Sequence, residues 1–169
     1  DPSNTVFVNT LRVYDPATDT WTTKAPMPTA RQFSGGGVVN GILYVVGGQN
    51  GGGNLATVEA YDPAADTWAT NAPMPTARYV LAVEVIHGIL YAVGGYNGSV
   101  YNGETWEWNG TVWSQRVVSG PSARSDHAMA YDAARGVIVL FGGYPSGGGG
   151  ETWEWNGTPW SQRLGSGPT

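Results

Sequence analysis

Two stretches of this chain repeat at an offset of 47 residues. Tyr14 to Arg31 reads YDPATDTWTTKAPMPTAR and Tyr61 to Arg78 reads YDPAADTWATNAPMPTAR, identical at 15 of 18 positions. Gly103 to Arg116 (GETWEWNGTVWSQR) and Gly150 to Arg163 (GETWEWNGTPWSQR) share that offset and agree at 13 of 14 positions. A fixed period of this length marks an array of supersecondary units. Each such unit buries its apolar face only against a neighbour, so no unit has a private core.

Each period carries four strand signals. The first follows an arginine: Ser34 to Asn40, Val80 to His87 and Ser125 to Asp132. The second is an apolar run that ends in two glycines: Ile42 to Gly48, Ile89 to Gly95 and Val137 to Gly143. Unbroken apolar runs suit strands covered on both faces. Asn40-Gly41 and His87-Gly88 are hairpin-turn signals between them. The third strand alternates, as in Thr105-Trp106-Glu107-Trp108, which puts the two tryptophans on one face and Glu107 on the other. The fourth centres on Trp21, Trp68, Trp113 and Trp160. Asp15, Asp19, Asp62 and Asp66 read as turn formers, with Asp15-Pro16 and Asp62-Pro63 opening the turns; Asn109-Gly110 and Asn156-Gly157 are tighter versions. Four antiparallel strands per period describe a propeller blade. The fold class is therefore all-β, with fourteen expected strands in three and a half blades: a half-blade over 5–24 and blades over 31–70, 78–116 and 124–163.

Composition narrows the functions open to such a chain. Only 12 % of residues are charged and 41 % are hydrophobic, with 26 Gly, 8 Trp and 9 Tyr, which is the composition of a folded chain. The net charge is −5, Lys24 is the one lysine, and no basic stripe for nucleic acid is present. No apolar run approaches membrane-spanning length. There is no cysteine, so disulfides and thiolate metal sites are absent. Two separated histidines, His87 and His127, make no metal site; His87 reads as a hairpin tip and His127 as a hydrogen-bonded structural residue. No cofactor is expected. Scarce lysine with abundant Thr, Asn and Gly leans towards an extracellular or cell-surface protein, while remaining compatible with the cytoplasm. The opening Asp1-Pro2-Ser3-Asn4 reads as that of a processed or excised segment.

The motif residues resemble the kelch repeat. The marks are Arg31, Arg78 and Arg124 after a Pro-rich turn, the double glycines Gly47-Gly48, Gly94-Gly95 and Gly142-Gly143, the tyrosines Tyr14 and Tyr61 at the end of the third strand, and the tryptophan that follows. The resemblance runs from about Thr10 to the end. In the later repeats Trp108 and Trp155 replace the tyrosine, a variant that resembles bacterial kelch-type surface or secreted proteins. The arginines are expected to bond backbone carbonyls and link blades, the glycines to permit close strand approach, and the tryptophans to pack between blades. Trp106 and Trp153 would stack on sugars only if they faced outwards.

The resemblance also implies where a ligand binds: just after the motif arginine, at Gln32, Tyr79, Ser125 and Asp126, and just after the double glycine, at Gln49, Asn50, Tyr96, Asn97, Tyr144 and Ser146. This mixture of Tyr, Gln, Asn and Ser suits recognition. No arginine occupies these positions, so the arginine-lined pocket that some relatives use for acidic peptides is not expected. Glu84 sits on an expected innermost strand and is a candidate to face a central channel. Asn97, Asn109 and Asn156 each match the glycosylation acceptor pattern, the last two being better explained as turns.

No catalytic constellation stands out. The copper site of enzymatic relatives needs a cysteine, and Glu107 and Glu154 are repeat equivalents rather than an acid pair. The leading expectation is a non-catalytic module that binds protein or glycan through face loops. The alternatives are a structural unit that self-assembles into a ring or filament, and a fragment of a carbohydrate-active enzyme. A homo-oligomer, or the remainder of a longer propeller, is the expected partner of the incomplete ring; nucleic acid is not.

Overall fold

The computed structural model describes residues 6–145 and 150–164. Among them it contains sixteen strands and no helix. A two-stranded half-blade pairs β1 (Leu11–Asp15) with β2 (Thr20–Lys24). The first blade comprises β3 (Gly35–Val39), β4 (Ile42–Val46), β7 (Val58–Asp62) and β8 (Thr67–Asn71), in that spatial order. The second comprises β9 (Ala82–Ile86), β10 (Ile89–Val93), β11 (Thr105–Trp108) and β12 (Trp113–Arg116). The third comprises β13 (Ala128–Asp132), β14 (Val137–Phe141), β15 (Thr152–Trp155) and β16 (Trp160–Arg163). All neighbours are antiparallel, and β3, β9 and β13 lie side by side as the inner strands. The architecture is an incomplete propeller.

Two features depart from the sequence reading. A short hairpin, β5 (Gln49–Asn50) with β6 (Gly53–Asn54), grows out of the first blade after its double glycine and raises the strand number above fourteen. The inner strands also begin later than expected. The residue two positions after each motif arginine has positive φ: Phe33 at 57°, Val80 at 49° and Asp126 at 56°. That left-handed backbone turns the chain out of extended geometry before the strand can start, and it is costly for a β-branched valine.

The apolar rows meet between blades. Val39, Val46 and Val58 of the first blade pack with Leu90, Ala92 and Trp108 of the second. Ile86, Tyr91 and Val93 of the second pack with Ile138, Leu140, Trp155 and Trp160 of the third. Alternate residues of one strand thus serve different interfaces, the expected result of a period-two side-chain pattern in a sheet covered on both faces. Trp106 and Trp108 share one face, and Glu107 lies opposite Tyr91 on the other.

Candidate functional site

Each motif arginine rivets two blades. The Arg78 N–H donates to the Leu55 carbonyl at 3.0 Å, and its own carbonyl accepts from Gly48 at 2.9 Å, so its backbone belongs to the first blade. Its guanidinium reaches the second, donating to Gly94 O at 3.1 Å and Glu104 at 2.6 Å. Arg124 repeats the pattern on Asn102, Gly142 and Glu151. Arg31 repeats it on Val8, Gly47, Thr57 and Glu59. The glycine pairs allow this approach. A Cβ on Gly47 would stand 2.6 Å from the Arg78 carbonyl oxygen, and one on Gly94 would stand 2.5 Å from that of Arg124. The equivalent Gly142 has nothing within 4 Å of such a position, because no described blade follows it.

The acid that receives the arginine explains why the repeats come in two patterns. In the first blade Glu59 lies on β7 opposite Val45. In the later blades Trp106 and Trp153 occupy that register position, opposite Ala92 and Leu140. The carboxylate then comes from two residues earlier: Glu104 accepts from Arg78 and from the Trp106 indole at 2.9 Å, and Glu151 accepts from Arg124 and from the Trp153 indole at 3.2 Å. Burial alone would raise the Glu104 carboxyl, yet Trp106 and Arg78 hold it below its ordinary range. Glu151 is lowered first by Arg124 and then by Trp153. Trp106 and Trp153 are half-buried in these contacts and pack on the two cores.

The fourth-strand tryptophans of all three blades reach back to the preceding unit. The Trp68 indole donates to Ala25 O at 2.8 Å, Trp113 to Ala72 O at 3.2 Å, and Trp160 to the Thr105 hydroxyl at 2.9 Å. Asp66 is more than a turn former, since it also accepts from the Ala25 N–H at 2.9 Å. Trp21 is 67 % exposed. His127 differs from expectation: neither ring nitrogen has a hydrogen-bond partner. It fills space against Gly94 and Gly143, and burial, helped by Arg124, pushes its pKa down to about 4. His87 is an exposed hairpin residue with φ of 54°. Glu84 is half-buried and accepts from the Val85 N–H at 2.9 Å. Asn109 and Asn156 close their own turns.

The two loop sets meet in pairs. Gln32 bridges Gln49, Tyr79 bridges Tyr96, and Ser125 bridges Tyr144, each through two backbone hydrogen bonds of 2.8–3.1 Å. The left-handed positions are joined around the inner end: the Val80 N–H donates to Phe33 O at 3.0 Å, and the Asp126 N–H to Val80 O at 3.2 Å. Above this rim lies a cup of about 310 Å³ lined by Phe33, Tyr79, Val80, Tyr96, Tyr101, Ser125 and Asp126. A string of ring contacts surrounds it, with centroids 6.3 Å apart for Phe33–Tyr79, 5.8 Å for Tyr79–Tyr96, 4.7 Å for Tyr96–Tyr101 and 5.6 Å for Tyr101–Tyr144.

Four of the expected ligand residues, Tyr79, Tyr96, Ser125 and Asp126, line this cup, and Tyr144 joins it through Tyr101. Gln32 and Gln49 lie outside its lining, while Asn50 and Asn97 cap their own turns. Ser146 falls outside the described residues. Phe33, Val80 and Tyr101 were missed. The first two stand at the Asp126 position of the repeat, a signal legible once the copies are aligned; Tyr101 stands where the preceding repeat has Asn54, each bridging the residue after its double glycine, so the repeat itself gave no sign of an aromatic there. Among the described residues no cluster of His, Asp and Glu could hold a metal ion, and no helix is long and apolar enough to cross a membrane.

Comparison with known proteins agrees with this geometry. Residues 30–75 match the Kelch motif. Kelch-like protein 7 of Gallus gallus and of Homo sapiens are each 50 % identical to the chain over 52 residues, covering 31 % of this chain and 9 % of the relative. The matched stretch thus spans less than a tenth of the length of these relatives. The Kelch match at residues 30–75 and the four-stranded antiparallel blades around it are consistent with a partial kelch propeller.

Proposed function

We propose that the chain is a protein-interaction module that holds a partner's peptide segment on the face carrying the aromatic cup. A Kelch motif supports protein interaction in general. The observation that carries the specific reading is the convergence of the two loop sets into one tyrosine-rich concavity. Tyrosines supply large contact area at low entropic cost, and loops on a rigid sheet scaffold are ordered before the partner arrives. The volume suits a side chain or short segment rather than a large ligand.

Panning a peptide library on the full chain tests this. Selected peptides should lose most of their affinity for Tyr79→Ala and Tyr101→Ala while both variants keep a cooperative melt. Peptides indifferent to both substitutions, or no selected peptide at all, would overturn the reading. Preferential capture of glycans over peptides would assign the face to sugars instead.

A second reading rests on a different observation. Val46 and Val93 are buried between blades, whereas Phe141 at the same repeat position is 41 % exposed. Exposed end faces of this kind are association surfaces between copies, closing into a ring or running on as a filament. Light scattering on a sizing column decides it: a discrete oligomer supports assembly, and a monomer of 17.8 kDa rules it out.

A further inference from the structure

The cup has one sign of charge. Asp126 is exposed at its wall, with Oδ2 accepting from the Ser125 hydroxyl at 2.6 Å, and no cationic side chain lines it. The nearest motif cations are spent: Arg78 and Arg124 are buried beneath the loops and paired with Glu104 and Glu151. The remaining lining is aromatic, and ring faces carry negative potential. Neighbouring rings stand steeply to one another, at 76° for Tyr79–Tyr96 and 74° for Tyr101–Tyr144, so some present faces and others edges. Among the described residues no partner engages the hydroxyls of Tyr79, Tyr96, Tyr101 or Tyr144.

We propose that this cup binds the cationic head of a basic side chain, arginine in preference to lysine, presented by a partner's peptide, with the tyrosine rings stacking on it and Asp126 as counter-charge. The inference rests on the reading of this face as peptide-binding and names the chemistry it selects. A planar guanidinium stacks on aromatic rings and donates to a carboxylate at once, which an ammonium does less well. An acidic side chain would meet Asp126 and the ring faces without a compensating cation. The same surroundings resist a negative charge on Tyr101, whose hydroxyl is raised by burial and then by Tyr144, Tyr96, Tyr79 and Asp126.

The test uses the full chain and three peptides: acetyl-(Gly-Arg)3-amide, its citrulline counterpart, which keeps the shape without the charge, and its glutamate counterpart. Calorimetry gives affinities, and tyrosine ring resonances report the site. The arginine peptide should bind about 10-fold tighter than the citrulline peptide, weaken as salt rises, and shift the rings of Tyr79, Tyr96 and Tyr101. Asp126→Asn should remove most of that preference without lowering the melting temperature, because asparagine tolerates the positive φ found there. Equal binding of the arginine and citrulline peptides, preference for glutamate, shifts confined to other residues, or no binding would each overturn the inference. Library peptides that need Tyr101 yet carry no Arg or Lys would overturn it while leaving the peptide-binding reading intact.

Discussion

The half-blade and the first blade carry nearly the same outer hairpin in different surroundings. Tyr14 stacks on Trp21 with centroids 5.1 Å apart, and Tyr61 on Trp68 at 5.2 Å. Tyr14 donates to Asp19 at 2.8 Å, and Tyr61 to Asp66 at 2.7 Å. Asp19 and Asp66 share a φ of 52–53°. Yet Tyr14 is 42 % exposed and Tyr61 only 3 %. Both hydroxyls are raised, Tyr14 chiefly by its bond to Asp19, and Tyr61 chiefly by burial, to about 12. The hairpin is a local object that forms alike in both places. Its energetic weight comes from the unit that packs against it.

The sharpest way to break the comparison is at the rivets. Arg31 and Glu59 are each 1 % exposed, whereas Glu104, which receives Arg78, is 35 % exposed. Arg31→Ala strands a fully buried carboxylate and should cost about 3–5 kcal/mol in chemical denaturation. Arg78→Ala should cost less, since water reaches Glu104. Equal losses would mean that the guanidinium's bonds to backbone carbonyls, rather than its ion pair, join the blades.

The hairpins themselves come next. Tyr61→Ala should cost about 3–5 kcal/mol, and Tyr14→Ala about 1 kcal/mol or less. Matching losses at the two sites would show that Tyr14 is covered in solution.

The comparison extends to pH through one repeat position, which holds Ser34, Leu81 and His127 in turn. The folded state keeps His127 neutral with a pKa of about 4, while the unfolded chain protonates it near 6.5. Between these values the unfolded state binds more protons, so stability falls as pH drops from 6.5 to 4, by roughly 3 kcal/mol in all. His127→Leu, which copies Leu81, should flatten that part of the pH profile. An unchanged slope would place the acid sensitivity in the carboxylates.

The smallest expected effect lies at the indole latch. Trp68→Phe removes the bond to Ala25 O and should cost about 1 kcal/mol, with Trp21→Phe near zero. A double mutant that simply adds would confirm that the two sites are independent.

Strand order, the hairpins and the blade period were legible in the sequence because each follows from local rules: apolar runs, side-chain alternation, and turn residues that accept positive φ. The cup was legible in part. Tyr79, Tyr96, Ser125 and Asp126 follow invariant marks of the repeat, but Tyr101 replaces Asn54 of the preceding repeat, and only the fold shows that this position reaches the cup. The two acid patterns were readable as letters, since Trp106 stands 47 residues after Glu59, and not as chemistry, because only the fold shows that Arg78 then reaches Glu104 instead. The sequence by itself determined which residues form blades and that the blades repeat, since hydrogen-bonded hairpins depend on near neighbours. The tertiary structure alone decided which copy of each motif is buried, which arginine is fully desolvated and which rings converge on Asp126, because burial and charge pairing are set by the neighbouring blade.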